Sequence, residues 1–204
     1  QPDGGLPQAP SAIPPSSGMV MGADFKPHPF ETPRALETSE LPGIVAAYGQ
    51  AARNAVAAGF DGIEIHGANG YLLEQFLQSR TNKRTDAYGG SIENRARLML
   101  EATKAAADAI GADRVGVRLS PYGRANDSGE DDPMPLYGYV IGELNKMGLA
   151  YLHLIEPRAS GAGQREVDHQ DVPSGCETVR PLWKGALITA GNFRSESAAA
   201  TVGK

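Results

Sequence analysis

The sequence predicts an α/β fold built on a parallel sheet, and three observations carry that expectation. Strand-like runs beginning near Phe60, Arg114, Ala150 and Ala186 alternate with stretches of helical length and period. Two of those runs keep their aliphatic residues on one face. The polar side chains suited to chemistry gather at the carboxyl ends of the runs.

Composition sets the frame. The 204 residues, 41% hydrophobic and 21% charged, suffice to bury a real core. A net charge of −5 argues against nucleic acid or an anionic membrane as main partner. The single cysteine, Cys176, cannot form an internal disulfide and fits a reducing compartment such as the cytoplasm. No apolar run approaches the roughly 18 residues of a membrane span, and no signal peptide is visible. The opening QPDGG lacks an initiator methionine, as in a processed protein or an interior segment.

Residues 1–38 read as a Pro/Gly-rich loop, because nine of the fifteen prolines fall within residues 1–42 and no hydrophobic period survives between them. A loop of that length is usually functional or a linker. Residues 39–204 then form βα units of one domain. A helix is predicted from Leu41 to Ala58, capped by Ser39 or Thr38, with Pro42 in its first turn and Gly59 past its end. Ile44, Tyr48, Ala52 and Val56 form its apolar stripe. The first strand lies in GFDGIEIHG. A second helix spans Ile92–Ile110 behind the cap Ser91, followed by the strand RVGVRLS. A third helix spans Met134–Met147, with Leu136, Val140, Leu144 and Met147 on one face and Gly148 at its end. YLHLIEP is the third strand, TVRPLWKG a short helical segment, and ALITAGNF the fourth strand with its exit.

Parity within the strands narrows the architecture. Gly62, Glu64 and His66 share one face, opposite Ile63 and Ile65; Gly116, Arg118 and Ser120 oppose Val115, Val117 and Leu119. A doubly wound sheet wants both faces apolar. One aliphatic face and one of small and charged residues suits a (β/α)₈ barrel, whose chemistry sits at the carboxyl ends of its strands. His66, Arg118 and Gly191 would all lie there.

In HGANGY, His66 and Asn69 can donate to one oxygen, the arrangement needed where negative charge develops. Tyr71 can give a proton as a general acid. Singly, each residue also has an ordinary structural use: a satisfied strand-end histidine, a turn asparagine, a tyrosine on the core. Arg118 on the inward face must meet an anion, either a ligand or Glu64. ITAGNF exposes backbone N–H groups where barrels often bind phosphate, although Gly-Asn is also common turn chemistry. The four histidines lack metal-ligand spacing, and His153 reads as a satisfied core residue. Arg80, Lys83 and Arg84 read as a solvated loop face, and ENRAR as helix-start polarity. No GxxxxGK[ST] or GxGxxG loop occurs.

The segments AGFDGIEIHGANGYLLEQFL, NKRTDAYGGSIENRARLMLEA, RVGVRLSPYG, YLHLIEPR and WKGALITAGNF, in this order, resemble the Old Yellow Enzyme family of FMN-dependent ene reductases. The resemblance covers essentially the whole chain. It implies a TIM barrel with FMN at its mouth, NAD(P)H as reductant, and hydride delivery to the β-carbon of an activated alkene. It implies that His66 and Asn69 hold the substrate's carbonyl or nitro oxygen, or a phenolic ligand, and that Tyr71 protonates the α-carbon. Arg118 matches the residue beside flavin N1, where it stabilises the anionic reduced form; Ala190, Gly191 and Asn192 match part of the phosphate site. A complete barrel takes about 250 residues, and four strands are legible here. They match strands four to seven, so an interior segment is expected. Two other readings stay open: an inactive barrel fragment, and a TIM-barrel enzyme without flavin such as an aldolase. The latter would want a Schiff-base lysine on a barrel strand, which is absent.

Overall fold

The computed structural model describes residues 4–16, 18–157, 173–191 and 193–202. Four short strands open the chain: β1 (Gln8–Ala9), β2 (Val20–Met21), β3 (Pro27–His28) and β4 (Arg34–Ala35). β1 pairs parallel with β4, and β2 antiparallel with β3. A 3₁₀ turn, Thr38–Glu40, leads into α1 (Leu41–Ala57). Then follow β5 (Ile63–Gly67), α2 (Leu72–Leu77), α3 (Ile92–Ile110), β6 (Val115–Leu119), α4 (Met134–Leu144), β7 (Tyr151–Ile155), α5 (Gly175–Val179), β8 (Ala186–Ala190) and α6 (Ser195–Val202).

The opening segment therefore carries two small ribbons within the stretch expected as loop, and it is pinned to the domain. The Arg84 guanidinium donates to the carbonyls of Pro10 (3.2 Å) and Leu36, and to Thr38 Oγ1 and Asp86. Its side chain is only 9% exposed. The expectation of a solvated face fails here, because long-range backbone carbonyls supply partners that local sequence cannot reveal. Thr38 spends its hydroxyl on Asp86, so neither it nor Ser39 caps α1; Glu40 is the N-cap, and its own carboxylate accepts the Glu37 N–H at 2.7 Å.

β5, β6, β7 and β8 form one all-parallel sheet in chain order. Its aliphatic face is buried: Ile65, Val115, Val117, Leu119, Leu152 and Leu154 pack with Leu98, Met99 and Ala102 of α3 and with Leu136, Val140, Ile141 and Leu144 of α4. Each large side chain so buried favours the fold by about 1.5–3 kcal/mol. α1 packs on α3, with Ala52 buried and Ile44 and Tyr48 against the core. Ser91 caps α3, accepting the Asn94 N–H. α4 stops at Leu144, three residues before the predicted end, because Lys146 and Met147 bond back to i−3 carbonyls and tighten the last turn.

Helices cover one face only, so the architecture is a partial (β/α)₈ barrel wall. The inward face carries Glu64, exposed, and Ile188, 43% exposed. Arg95, expected as surface polarity, is 7% exposed. It donates to the Leu77 carbonyl (2.6 Å) and to Glu130, whose carboxylate also receives the Ser79 N–H and hydroxyl. That pair ties the loop after β6 to the loop after α2. No helix among the described residues is long and apolar enough to cross a membrane.

Candidate active site

Parallel register aligns the inward residues in rows. His66 of β5 is paired with Arg118 of β6, Arg118 with His153 of β7, and His153 with Ile188 of β8. One step below, Glu64, Gly116, Tyr151 and Ala186 form a second row. Gly116 has no side chain, and a Cβ there would lie 2.3 Å from the Tyr151 ring. Over this gap the Glu64 carboxylate of β5 reaches His153 Nδ1 of β7 at 2.9 Å.

Of the two partners open to Arg118 in the sequence, an anionic ligand or Glu64, the Glu64 pair is not formed; that carboxylate accepts from His153. Arg118 Nε is buried and has no hydrogen-bond partner among the described residues. His153 is only half satisfied as well, since its Nε2 is buried without a partner. The sequence expectation of an ordinary core histidine gives way to an inward histidine that holds an acid.

His66 is half-buried at the end of β5. Burial, and then the Arg118 positive charge, lowers its pKa below the ordinary 6.5. Its ring centroid lies 5.4 Å from that of Tyr71, with the planes tilted by 52°. Tyr71, at 58% exposure, begins α2 with extended backbone. Between them the chain turns through two left-handed residues, Asn69 (φ 59°) and Gly70 (φ 72°). A Cβ at Gly70 would lie 2.2 Å from the Ala125 carbonyl oxygen, so the loop after β6 closes on this turn only because glycine is there. Asn69 is half-buried; its N–H donates to Ser120 Oγ at 2.9 Å, and its carbonyl accepts from Asn126 Nδ2 at 3.3 Å.

Ala190 and Gly191 stand half-buried at the carboxyl end of β8, and the Ala190 carbonyl accepts the Glu156 N–H at 2.8 Å. Asn192, the third residue expected there, lies outside the described residues. β8 and β5 are the two outer strands of the sheet, three inter-strand steps or about 14 Å apart. The fold thus brings His66, Asn69 and Tyr71 at the end of β5 beside Arg118 of the neighbouring β6, and Ala190 and Gly191 to the same end of the far strand.

Sequence reading missed a buried network beneath the turn: Glu74, Gln78, Ser120 and Tyr137. Its one cue was a glutamate amid the leucines and phenylalanine of LLEQFL.

Residues 6–204 match the family described as NADH:flavin oxidoreductase / NADH oxidase. The chain belongs to the Old Yellow Enzyme family. Among its relatives, a putative 12-oxophytodienoate reductase of rice (Oryza sativa subsp. japonica) is 47% identical over 167 residues, 82% of this chain and 44% of the rice protein. Chanoclavine-I aldehyde reductase of Penicillium roqueforti is 47% identical over 189 residues, 92% of this chain and 48% of that protein. The solved structure of morphinone reductase in complex with tetrahydroNAD superposes with a TM-score of 0.88 at 45% identity, covering 100% of this chain and 54% of that one. The Old Yellow Enzyme homologue of Zymomonas mobilis gives 0.90 at 34% identity, covering 98% and 55%. This Old Yellow Enzyme chain spans about half the length of the relatives it matches.

Proposed function

We propose that this chain supplies the substrate-binding and proton-donating side of an FMN-dependent ene reductase. The observation that carries the proposal is Arg118: an inward guanidinium with a buried, unpartnered Nε, left free by the Glu64–His153 bond. A half-buried guanidinium with a buried donor left unpaired is costly, and an anionic ligand group relieves that cost. The donor set fits FMN: Arg118 would hold the ring system, and Ala190 and Gly191 at the end of β8 would hold part of the phosphate.

FMN held there would supply hydride transfer, from NAD(P)H to the β-carbon of an enone, maleimide or nitroalkene. The protein residues do the rest. His66, neutral at pH 7 because burial and Arg118 lower its pKa, donates an N–H to the substrate's carbonyl or nitro oxygen. Asn69 donates its carboxamide to the same oxygen, and the two together stabilise the negative charge that hydride arrival places there. Tyr71 gives its phenolic proton to the α-carbon. Phenols bind the same donor pair through their oxygen. Relatives named for 12-oxophytodienoate and chanoclavine-I aldehyde, and a neighbour solved with tetrahydroNAD, support a small-molecule substrate and a nicotinamide reductant.

The test uses the full-length protein carrying this sequence. It should purify yellow, bleach on addition of NADPH or NADH, and regain colour with N-ethylmaleimide. A colourless protein that FMN titration leaves unchanged refutes the proposal.

A further inference from the structure

The turn that presents Asn69 and Tyr71 is held from below by a single acid. Asn69 and Gly70 are consecutive left-handed residues, a conformation that asparagine and glycine tolerate, and the Tyr71 N–H closes the turn on the Ala68 carbonyl at 3.3 Å. The Gly70 N–H donates to Glu74 Oε2 at 2.6 Å. The Asn69 N–H donates to Ser120 Oγ at 2.9 Å, and the Ser120 hydroxyl passes its own proton to Glu74 Oε1 at 2.5 Å. Both turn amides therefore end on one carboxylate. Tyr137 O–H is the third donor to the carboxylate, reaching Oε1 at 2.7 Å, and Gln78 Nε2 donates to the Tyr137 oxygen at 2.9 Å.

Burial raises the Glu74 pKa while the bonds from Ser120, Gly70 and Tyr137 lower it, and with the acid ionised the direction of these bonds follows. A backbone N–H can only donate, so Ser120 Oγ must accept from Asn69 and point its hydrogen at Glu74. A carboxylate is the group that accepts from every side at once. Glu74, Gln78 and Ser120 are buried, so water does not substitute for a lost partner. The network also bridges elements: Glu74 belongs to α2, Ser120 to the end of β6 and Tyr137 to α4. It thus registers the β5 exit against the rest of the barrel wall.

We propose that Glu74 is the positioning residue of the donor turn. As a carboxylate it fixes the backbone of Asn69 directly through Gly70 and indirectly through Ser120. In that way it sets where the Asn69 carboxamide and the Tyr71 phenol meet the substrate. This rests on the roles assigned above to His66, Asn69 and Tyr71; Glu74 itself touches neither substrate nor cofactor.

Glu74→Gln keeps size and shape but replaces one of the two carboxylate oxygens, which together accept from Gly70, Ser120 and Tyr137, with an N–H₂ that cannot accept. Ser120→Ala removes one hydroxyl and cuts only the Asn69 branch. In the full-length flavoprotein, hydrogen exchange at the Asn69 and Gly70 amides should accelerate about tenfold or more in Glu74→Gln. Ser120→Ala should accelerate Asn69 alone. The dissociation constant for p-cresol should rise about fivefold or more in Glu74→Gln, and by less in Ser120→Ala. A Glu74→Gln protein that loses thermal stability yet binds p-cresol within twofold of wild type, with both amides still protected, overturns the proposal. If Glu74→Gln does not fold, Ser120→Ala decides: unchanged Asn69 exchange and p-cresol affinity overturn it equally. Failure of the ene-reductase reading appears separately, as a wild-type protein that binds no phenol, and the exchange data then still test the clamp.

Discussion

His153 Nδ1–H on β7 donates to the Glu64 carboxylate on β5 at 2.9 Å, crossing the strand that carries Gly116. Arg118 on that middle strand keeps a buried Nε with no partner among the described residues. Arg118→Met should weaken FMN retention and lower the flavin's reduction potential, because positive charge beside a group favours its more negative form. It should also raise the titration midpoint of His66. In the folded protein His66 titrates below 6.5, first through burial and then through Arg118, so it binds fewer protons than the unfolded chain across that window. It therefore favours the fold as pH rises toward 6.5. NMR titration of the imidazole in wild type and Arg118→Met checks both statements; a midpoint that stays put denies the coupling.

Phenol binding reports on the donor pair. His66→Ala with Asn69→Ala in the full-length protein should weaken p-cresol binding by about 1–3 kcal/mol, the usual consequence of removing polar partners. Calorimetry or flavin absorbance reads the affinity. Unchanged binding would place the phenol elsewhere.

Tyr71 should matter to alkene reduction and not to bleaching of the flavin, since hydride arrival from NAD(P)H needs no proton from it. Its exposed phenol, 5.4 Å from the His66 ring, stands free to serve as the acid. Tyr71→Phe is expected to slow the alkene step by about 10²–10⁴-fold. Stopped-flow measurement of the two half-reactions separates them, and equal slowing of both would make the tyrosine structural.

Arg84 should be the residue that holds the opening segment. Arg84→Met removes donors to Pro10, Leu36, Thr38 and Asp86 together and is expected to destabilise by about 3 kcal/mol. Limited proteolysis should then cut within residues 8–38 before the barrel wall. The Arg84 hydrogen bond also holds Asp86 well below its ordinary 3.8. Asp86 thus contributes stability above that value and loses it as pH falls below, a dependence that should shrink in Arg84→Met. Unaltered cleavage would assign the segment's order to its own ribbons.

Expressed alone, these 204 residues should associate and bind FMN weakly. The sheet leaves Glu64 and Ile188 exposed on its inward face, and its outer strands β5 and β8 each have one edge unpaired within the sheet. Net stability of a domain is only about 5–15 kcal/mol, which leaves little margin for an open wall. Sedimentation and FMN titration check this; a monomer that holds flavin tightly and reduces N-ethylmaleimide would show that the half-wall suffices.

The sequence by itself determined the order and type of the main elements. Alternation of hydrophobicity in GIEIH and RVGVRLS fixes which residues face inward, and the cap Ser91 marks where α3 begins. These signals are local, and burial on one face makes them strict. It also determined the residues at the strand ends, because a turn such as HGANGY carries its chemistry in consecutive positions. Tertiary structure alone decided which partner each charge takes. Arg84 meets carbonyls up to 74 residues away, Arg95 meets Glu130 across 35, and Glu64 meets His153 across 89 in preference to Arg118. Glu74 likewise finds Ser120 and Tyr137 only after α2, β6 and α4 have packed. Parity tells a residue which side it faces, while the choice of partner depends on strand order, register and the space left by Gly116 and Gly70, quantities that exist only once the sheet has formed.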